Sequence, residues 1–453
     1  MVKYDLRSEF IATNAEGIQK IPQEWQIKQV RYLLKDGAEG IKIGPFGSAL
    51  KLEDMVEEGF SVYGQENVIK KDFTLGKRKI SETKFQEMSV YRIFPKDILI
   101  TMMGTSGKCE IVPKDVKDGI IDSHLLRVRV KENHIIPEFF KLLIDESPEI
   151  AYQIQVFGKG SIMHGLNSGI VKSLNLPLPS IAEQKHILSF LDHETAKIDS
   201  LITKQEKLIE LLKEKRQAVI SHAVTKGLNP DVVMKDSGVE WLGQVPEHWV
   251  VTRAKFVANV FIPQRNKPEL NDSEGFAWVT MDDMKNKYIQ NVNRYVTKNS
   301  AILAGSKVLE KGAVIASCVG NFGVTSINKI DVIINQQLQA FIPKNIKAEY
   351  LQNLVSISKN YFELIGTAAT LVYVNQEGFQ NLPVLLPPHD EQVAICLQIE
   401  NYENKYDQLI NLGLQQIKIL QERRTALISS AVTGKINVSN WQHPNEAKTE
   451  LSL

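Results

Sequence analysis

Residues 214–227 read EKRQAVISHAVTKG, and residues 422–435 read ERRTALISSAVTGK. The two stretches superimpose without a gap at a shift of 208. Upstream, the same shift lays EQKHILSFL (183–191) on EQVAICLQI (391–399). Further out, IPQEW (21–25) matches VPEHW (245–249) at a shift of 224. Between these anchors PKDILITMMGTSGK (95–108) is similar to EKGAVIASCVGNFG (310–323), and DSHLLRV (122–128) to NQQLQAF (335–341). Each half also ends in a Pro-rich strand exit, NLPLPS (175–180) and NLPVLLPP (381–388). Six matches in one order mean a tandem duplication. Trp25 to Glu183 spans 158 residues and Trp249 to Glu391 spans 142, so the length difference lies before each EQ. A variable module is followed by a constant one, twice.

The constant module reads as a long helix. From Glu183 to Val224 there is neither Pro nor Gly. An apolar 3-4 spacing runs through Leu188, Leu191, Thr195, Ile198, Ile202, Gln205, Ile209, Leu212, Arg216, Val219 and Ala223. Its copy runs through Cys396, Ile399, Glu403, Tyr406, Ile410, Gly413, Ile417, Leu420, Arg424, Leu427 and Ala431, with polar interruptions at the same heptad positions. A seam sustained in this way predicts a coiled coil, about 65 Å long at 1.5 Å per residue. With a whole variable module between the seams, the two helices are expected to pair antiparallel, in a register the sequence leaves open. The interface positions are Leu191, Ile198, Ile202, Ile209, Leu212 and Val219, with Ile399, Tyr406, Ile410, Ile417, Leu420 and Leu427.

The variable modules read as mixed. FSVYGQENV (60–68), DILITMMG (97–104) and HLLRVRV (124–130) are predicted strands, and IPEFFKLLIDES (136–147) a helix. Their counterparts are FAWVTMDDM (276–284), AVIASCVG (313–320), QLQAFIP (337–343) and the helix KAEYLQNLVSI (347–357). The fold class is therefore α+β, with two mixed domains and two long helices in a pseudo-two-fold duplicated chain. KGLNPDVVMKDSGVEWLGQVP (226–246), rich in Gly and Pro, reads as a linker.

The chain has 453 residues, with 54 Lys and Arg against 53 Asp and Glu, and a formal net charge of +1. This excludes a histone-like polycation but not a DNA-binding protein whose basic loops are offset by acidic faces elsewhere. Cys109, Cys318 and Cys396 are odd in number and far apart, fitting neither a disulfide framework nor a zinc site. The start, MVKYDLRSEFIATN, has no apolar signal segment, and no run reaches the ~18 apolar residues of a membrane span. A cytoplasmic protein is expected, with no membrane partner.

Fragments that look catalytic fail on spacing. GTSGK (104–108) has Met102 where a phosphate-binding loop needs Gly, and Cys109 where it needs Ser or Thr. FGKG (157–160) lacks the spacing of a methyl-donor loop, and no NPPY-type adenine-methylation motif occurs. NPDVVMK (229–235) carries Val233 where a nuclease needs a metal-holding acid. His186 and His193, seven apart, have no HExxH around them and read as solvated helix residues. No catalytic residue and no metal ligand is assigned.

Basic and amide-rich loops between strands are the remaining chemistry. The candidate DNA-binding residues are Ser48 and Lys51 in GPFGSALK (44–51), Lys70, Lys71, Lys77, Arg78, Lys79 and Lys108, and Lys159, Ser161 and His164 in a Gly-rich loop. In the second half they are Arg265, Asn266, Lys267, Gln336 and Gln337. Arg, Lys, Asn and Gln are the side chains that bond phosphates and the edges of guanine and adenine.

The ordered pattern IPQEW, GPFGSALK, LPLPSIAEQ, long helix, DSGVEWLGQVPEHW and LPPHDEQ resembles the specificity subunits of type I restriction-modification systems, from about residue 18 to 437. That resemblance implies two target-recognition domains, at 18–180 and 245–388, each reading half of a split site in double-stranded DNA. It implies coiled-coil helices at 181–226 and 389–435 that act as a ruler, an extension at 1–17, a linker at 227–244 and a tail at 436–453. It further implies two methylation subunits docked on the helices, together with restriction subunits. S-adenosylmethionine, ATP and magnesium would then belong to those partners, and this chain would catalyse nothing. A duplicated scaffold binding only protein is the alternative, and a self-sufficient methyltransferase or nuclease would need the motifs that are missing.

Overall fold

A computed structural model describes residues 5–46, 49–158, 166–366 and 372–442. The chain divides into two compact units, one made of residues 1–205 and 415–453, the other of residues 206–414. Each unit therefore takes a part of both long helices, Ile181–Lys226 and His389–Val432.

In unit one, Gly119–Ile121, Phe60–Tyr63, Lys79–Ile80 and Met55–Val56 form one four-stranded sheet, in that spatial order. Ile41–Ile43, Leu125–Val128, Ile98–Thr101 and Cys109–Ile111 form a second. Unit two has a five-stranded sheet in the order Ala258–Phe261, Leu338–Pro343, Val314–Ser317, Thr325–Asn328, Tyr288–Ile289. Its smaller sheet is Tyr295–Val296, Phe276–Val279, Val332–Ile334. The copies agree in a telling detail: Gly119–Ile121 runs parallel to Phe60–Tyr63, as Val332–Ile334 does to Phe276–Val279, within otherwise mostly antiparallel sheets. Ile98–Thr101, Leu125–Val128 and Val314–Ser317 are buried throughout, as central strands rich in Ile, Leu and Val require. The helices Pro137–Glu146 and Ala348–Ser356 each bury one apolar face in these cores.

Four expectations differ from the structure. In FAWVTMDDM only Phe276–Val279 is strand; Met281–Asp283 is a 3-10 turn, closed by the Asp283 carboxylate accepting from the Thr280 amide at 2.9 Å. GQENV is not strand but the helix Gln65–Ile69, because the Asn67 side chain accepts from the Gly64 amide at 2.9 Å and donates to Asp72 and Leu75 carbonyls. The segment read as a linker is a hairpin, Met234–Asp236 paired with Gln244–Pro246. Its equivalent in unit one starts in the N-terminal extension, with Phe10–Ala15 paired to Ile18–Pro22. Phe10 opposite Pro22 and Met234 opposite Pro246 preserve the shift of 224 where the letters do not. The sequence match at 95–108 and 310–323 is also one residue off. The left-handed residues Lys96, Gly104 and Gly107 correspond to Gly312, Gly320 and Gly323, a shift of 216.

The most similar motifs converge at one place in each unit. In unit one the Trp25 indole N–H donates to Glu183 Oε2 at 2.9 Å, beside the start of the first long helix. A Cβ on Gly434, which follows the second long helix at φ +72°, would collide with Pro22 and press on Trp25. In unit two Trp249 donates to Glu391 Oε2 at 2.9 Å, and Gly227, at φ +78°, lies against Trp249. Each tryptophan thus packs the end of one long helix while it hydrogen-bonds the beginning of the other. The next residue is equally committed. Buried Gln184 accepts from the Ile136 amide and donates to the His134 and Pro179 carbonyls; Gln392 accepts from Lys347 and donates to Pro387. Ile136 and Lys347 cap the helices Pro137–Glu146 and Ala348–Ser356, so EQ fastens each long helix to its sheet domain.

Burial along the long helices follows the seam. From Ile198 to Val219, all residues are exposed except Ile198, Ile202, Gln205, Ile209, Leu212, Arg216 and Val219. From residue 404 to 426 only Tyr406, Ile410, Gly413, Ile417, Leu420 and Arg424 are shielded. Within unit one Leu191, Ile198 and Leu427 share a core with Ile202 and Leu420 packed on it, and Arg424 bonds Asp199 at 3.0 Å and Glu146 at 2.6 Å. Within unit two Arg216 meets Glu403 at 3.1 Å, and Ile399 lies in the same core as Ile220.

Replacing Trp249 with Phe keeps most of the buried ring and removes the donor to Glu391, which should cost about 1–2 kcal/mol, whereas Trp249→Ala should cost about 3–5 kcal/mol. Hydrogen exchange of the amides at 223–227 and 391–399 reads this out: both variants should speed exchange there, and Ala more than Phe.

Candidate nucleic-acid interface

Three chain segments are hydrogen-bonded into one cluster in each unit. In unit one the turn Asp122–His124 leaves the strand Gly119–Ile121, anchored by Asp122 N–H to the Tyr63 carbonyl at 2.9 Å. Met102, at the start of the glycine loop, donates to the His124 carbonyl at 3.0 Å, and Leu166 donates to the Met102 carbonyl at 2.9 Å. Unit two repeats every bond: Asn335 to Val279 at 3.0 Å, Cys318 to Gln337 at 2.9 Å, and Val374 to Cys318 at 2.9 Å. The chain that follows the edge strand joins the cluster in both. Gly44 N–H donates to the Leu125 carbonyl and lies so near the Asp122 carbonyl that a Cβ there would collide. In unit two the Gln336 amide reaches the Arg265 carbonyl at 3.3 Å.

The candidate residues distribute unevenly over this frame. Arg265, Asn266, Lys267, Gln336 and Gln337 are all exposed, and the last bond brings Arg265 and Gln336 together from 71 positions apart. Lys51, Lys70, Lys71 and Lys77 are exposed; Lys51 is engaged by Glu53 at 2.9 Å, and Lys71 takes a left-handed φ of +55°. Arg78 is paired to buried Asp122 at 2.8 Å, Lys79 is a half-buried residue of a strand, and Lys108 is paired to Asp145 at 2.7 Å. Ser48, Lys159, Ser161 and His164 lie outside the described residues. Not every cation of the sheet faces solvent: Arg127 is buried, donates to the Arg92 and Val90 carbonyls, and burial together with neighbouring Arg129 lowers its pKa to about 10. The three thiols are buried too, which raises the pKa of Cys318 and Cys396 to about 11 and that of Cys109 well up.

A feature the sequence reading passed over lies on the outside of the long helices. Leu201, Leu208 and Leu211 are exposed on the first, and Leu409, Leu412 and Ile419 on the second. Shifted by 208, Leu201 falls on Leu409 and Leu211 on Ile419, so the stripe is duplicated at two of its three positions, while Leu208 falls on Gln416 and Leu412 answers Lys204. Its signal was present as apolar residues three and seven apart, masked by the denser spacing of the seam. Among the described residues no helix is long and apolar enough to cross a membrane.

Two copies of one scaffold, each offering a cluster of polar loops, match a known family. The profile of the type I restriction modification DNA specificity domain matches residues 48–211 and 246–418, and the chain belongs to that family. It is 22% identical over 431 residues to the putative type I restriction enzyme MjaX specificity subunit of Methanocaldococcus jannaschii, covering 93% of this chain and 96% of that one. It is also 22% identical to the EcoBI specificity subunit of Escherichia coli, over 78% of this chain and 76% of the relative. Among solved structures, one from a study of complex assembly and conformational transition of the type I R-M system superimposes with a TM-score of 0.68 at 16% identity, over 92% and 99% of the two chains. The HsdS subunit from Thermoanaerobacter tengcongensis gives 0.52 at 17%, over 93% and 100%.

Removing Arg265 and Lys267 together should weaken DNA binding and flatten its salt dependence, by about 0.9 in the slope of log K against log salt for each lost phosphate contact. Fluorescence anisotropy of the assembled complex across a salt series measures this.

Proposed function

We propose that this chain is the sequence-reading subunit of a type I restriction-modification complex, in which each unit reads one half of an asymmetric bipartite site in duplex DNA. The observation that carries this reading is the repeated loop cluster: the same backbone bonds hold different side chains, Ser123 and His124 in one unit, Gln336 and Gln337 in the other. An identical frame with different polar tips suits two unlike half-sites, because base edges are distinguished by donor and acceptor pattern. The chain itself performs no chemistry. Methyl transfer with S-adenosylmethionine, and ATP- and magnesium-dependent cleavage, belong to the methylation and restriction subunits.

The long helices form an antiparallel coiled coil. The seam burial and the pairs Arg216–Glu403 and Arg424–Asp199 support this. A coiled coil of this kind would act as a stiff ruler and hold the spacer between half-sites to a fixed number of base pairs, which a flexible tether would not. The duplicated exposed stripe, Leu201/Leu208/Leu211 and Leu409/Leu412/Ile419, is where two methylation subunits dock, since apolar side chains grouped on an otherwise charged helix mark a partner surface.

Methylome sequencing of a host carrying the complex should return one asymmetric motif of two short halves around a fixed unspecified spacer; a continuous or palindromic motif contradicts the proposal. Ile202→Asp with Ile209→Asp places charges in the seam and should abolish assembly with the methylation subunits through loss of the helix pair. Leu201→Asp with Leu208→Asp should lower co-purification of those subunits at least 100-fold while thermal unfolding of this chain is unchanged.

A further inference from the structure

We infer that the turn Asp122–His124 is the base-reading element of unit one, with Ser123 and His124 as its specificity-determining side chains, and that Asn335–Gln337 is its equivalent in unit two. This rests on the DNA-reading function proposed above and goes beyond it in naming the reading positions. The sequence predicts a strand from His124, in HLLRVRV (124–130), but the strand begins at Leu125, and the three residues before it form an exposed-tipped turn.

The two turns are built alike. Both follow the short strand that lies parallel to its neighbour, Gly119–Ile121 or Val332–Ile334. In both, the first residue caps the turn from its own side chain: Asp122 Oδ1 accepts from the His124 amide at 2.9 Å, and Asn335 Oδ1 from the Gln337 amide at 3.1 Å. In both, the last carbonyl is taken by the glycine-loop strand, through Met102 or Cys318. The first and third amides and the last carbonyl of each turn are thus employed, and so is the first side chain. The second carboxylate oxygen of Asp122 holds Arg78 at 2.8 Å, and its side chain is 7% exposed. The third side chain of each turn, His124 or Gln337, is exposed and turned to solvent beside a second residue, Ser123 or Gln336, that bonds it or the neighbouring loop.

Their chemistry differs in a way that matters for base edges. Ser123 Oγ lies 3.3 Å and Asp122 Oδ1 3.9 Å from His124 Nδ1, so that nitrogen faces its own turn, and Nε2, the donor in the tautomer in which Nδ1 accepts from Ser123, is left to meet a ligand. A lone donor selects acceptor edges, such as N7 and O6 of guanine or O4 of thymine. Gln337 offers a donor and an acceptor on one amide, the combination that adenine presents in complement at N6 and N7. Gln336 is bound to the Arg265 carbonyl, which sets the exposed Arg265 beside the turn. Unit one is therefore expected to read an acceptor-edged base where unit two reads adenine.

The test is methylome sequencing of hosts carrying the complete complex with wild-type chain, His124→Ala, Gln337→Ala, or the transplant Ser123→Gln with His124→Gln. His124→Ala should relax selectivity by about 10–100-fold at one or two adjacent positions of a single half-site, with the other half-site and the spacer unchanged. Gln337→Ala should do the same in the opposite half-site, and the transplant should change the preferred base rather than merely relax it. Unaltered motifs in both alanine variants overturn the turn assignment while leaving the DNA-reading function standing. A wild-type complex that yields no bipartite motif overturns the underlying function instead. If His124→Ala fails to assemble, as thermal unfolding and co-purification would reveal, Gln337→Ala decides the assignment from the second copy.

Discussion

The rest of the molecule depends on a tryptophan trapped between two helix ends. Trp25 and Trp249 are fully buried, each gives its only polar hydrogen to a carboxylate, and each has a left-handed glycine closing over its ring. Burying an indole removes roughly 150–250 Å² from water, worth about 4–6 kcal/mol at 25 cal/mol per Å² as an upper bound. That is a large share of the stability of one domain. The ring can be buried there only if the end of one long helix and the beginning of the other are both in place. The contact therefore joins segments some 400 residues apart in unit one, where Gly434 meets Trp25, and closes unit two through Gly227 and Trp249.

The surroundings of the two tryptophans are not identical. Glu183 is also engaged by Arg7, which reaches Glu24 as well, and the N-terminal chain pairs with the segment after the second helix through Leu6 and Ile436. In unit two Glu391 takes His248 at 2.6 Å, and the connection from helix to hairpin is covalent. Unit one thus uses noncovalent pairing of the chain ends where unit two has continuous chain, and both arrive at the same hairpin, ring and carboxylate. Above this constant base, the sheet cores repeat their backbone bonds while the exposed tips of their loops do not. Constancy where helices are held and variation where polar tips are presented is the division of labour that a protein reading two different sequences requires.

Much of this was legible in the letters because it obeys simple periodicities or local motifs. The 3-4 apolar spacing located the shielded positions of both long helices, and IPQEW, EQ and AVT marked the places where tryptophan, helix start and helix end meet. What escaped depends on contacts that spacing does not encode. Asn67 turns GQENV into a helix by capping it from within. Lys96 takes a left-handed φ where the second copy has Gly312, which hid the one-residue slip in the alignment. The hairpins at 10–22 and 234–246 share a register but few residue types, so their equivalence shows only in the pairing. Among the candidate DNA-binding residues, 265–267 and 336–337 are exposed, and Arg265 and Gln336 are in contact. Arg78 and Lys108, by contrast, are committed to Asp122 and Asp145, partners 44 and 37 positions away that no local motif announces.

The central claim is that one frame, used twice, presents two different sets of side chains to the major grooves of two separated half-sites. Dimethyl sulfate protection of the complex on its recognition duplex addresses it most directly, because the reagent reports contact at guanine N7 in the major groove. Two protected patches are expected, with centres about one helical turn apart, roughly 10 base pairs, and an unprotected spacer between them. A single continuous footprint, or protection of the backbone with every guanine N7 left reactive, would contradict it.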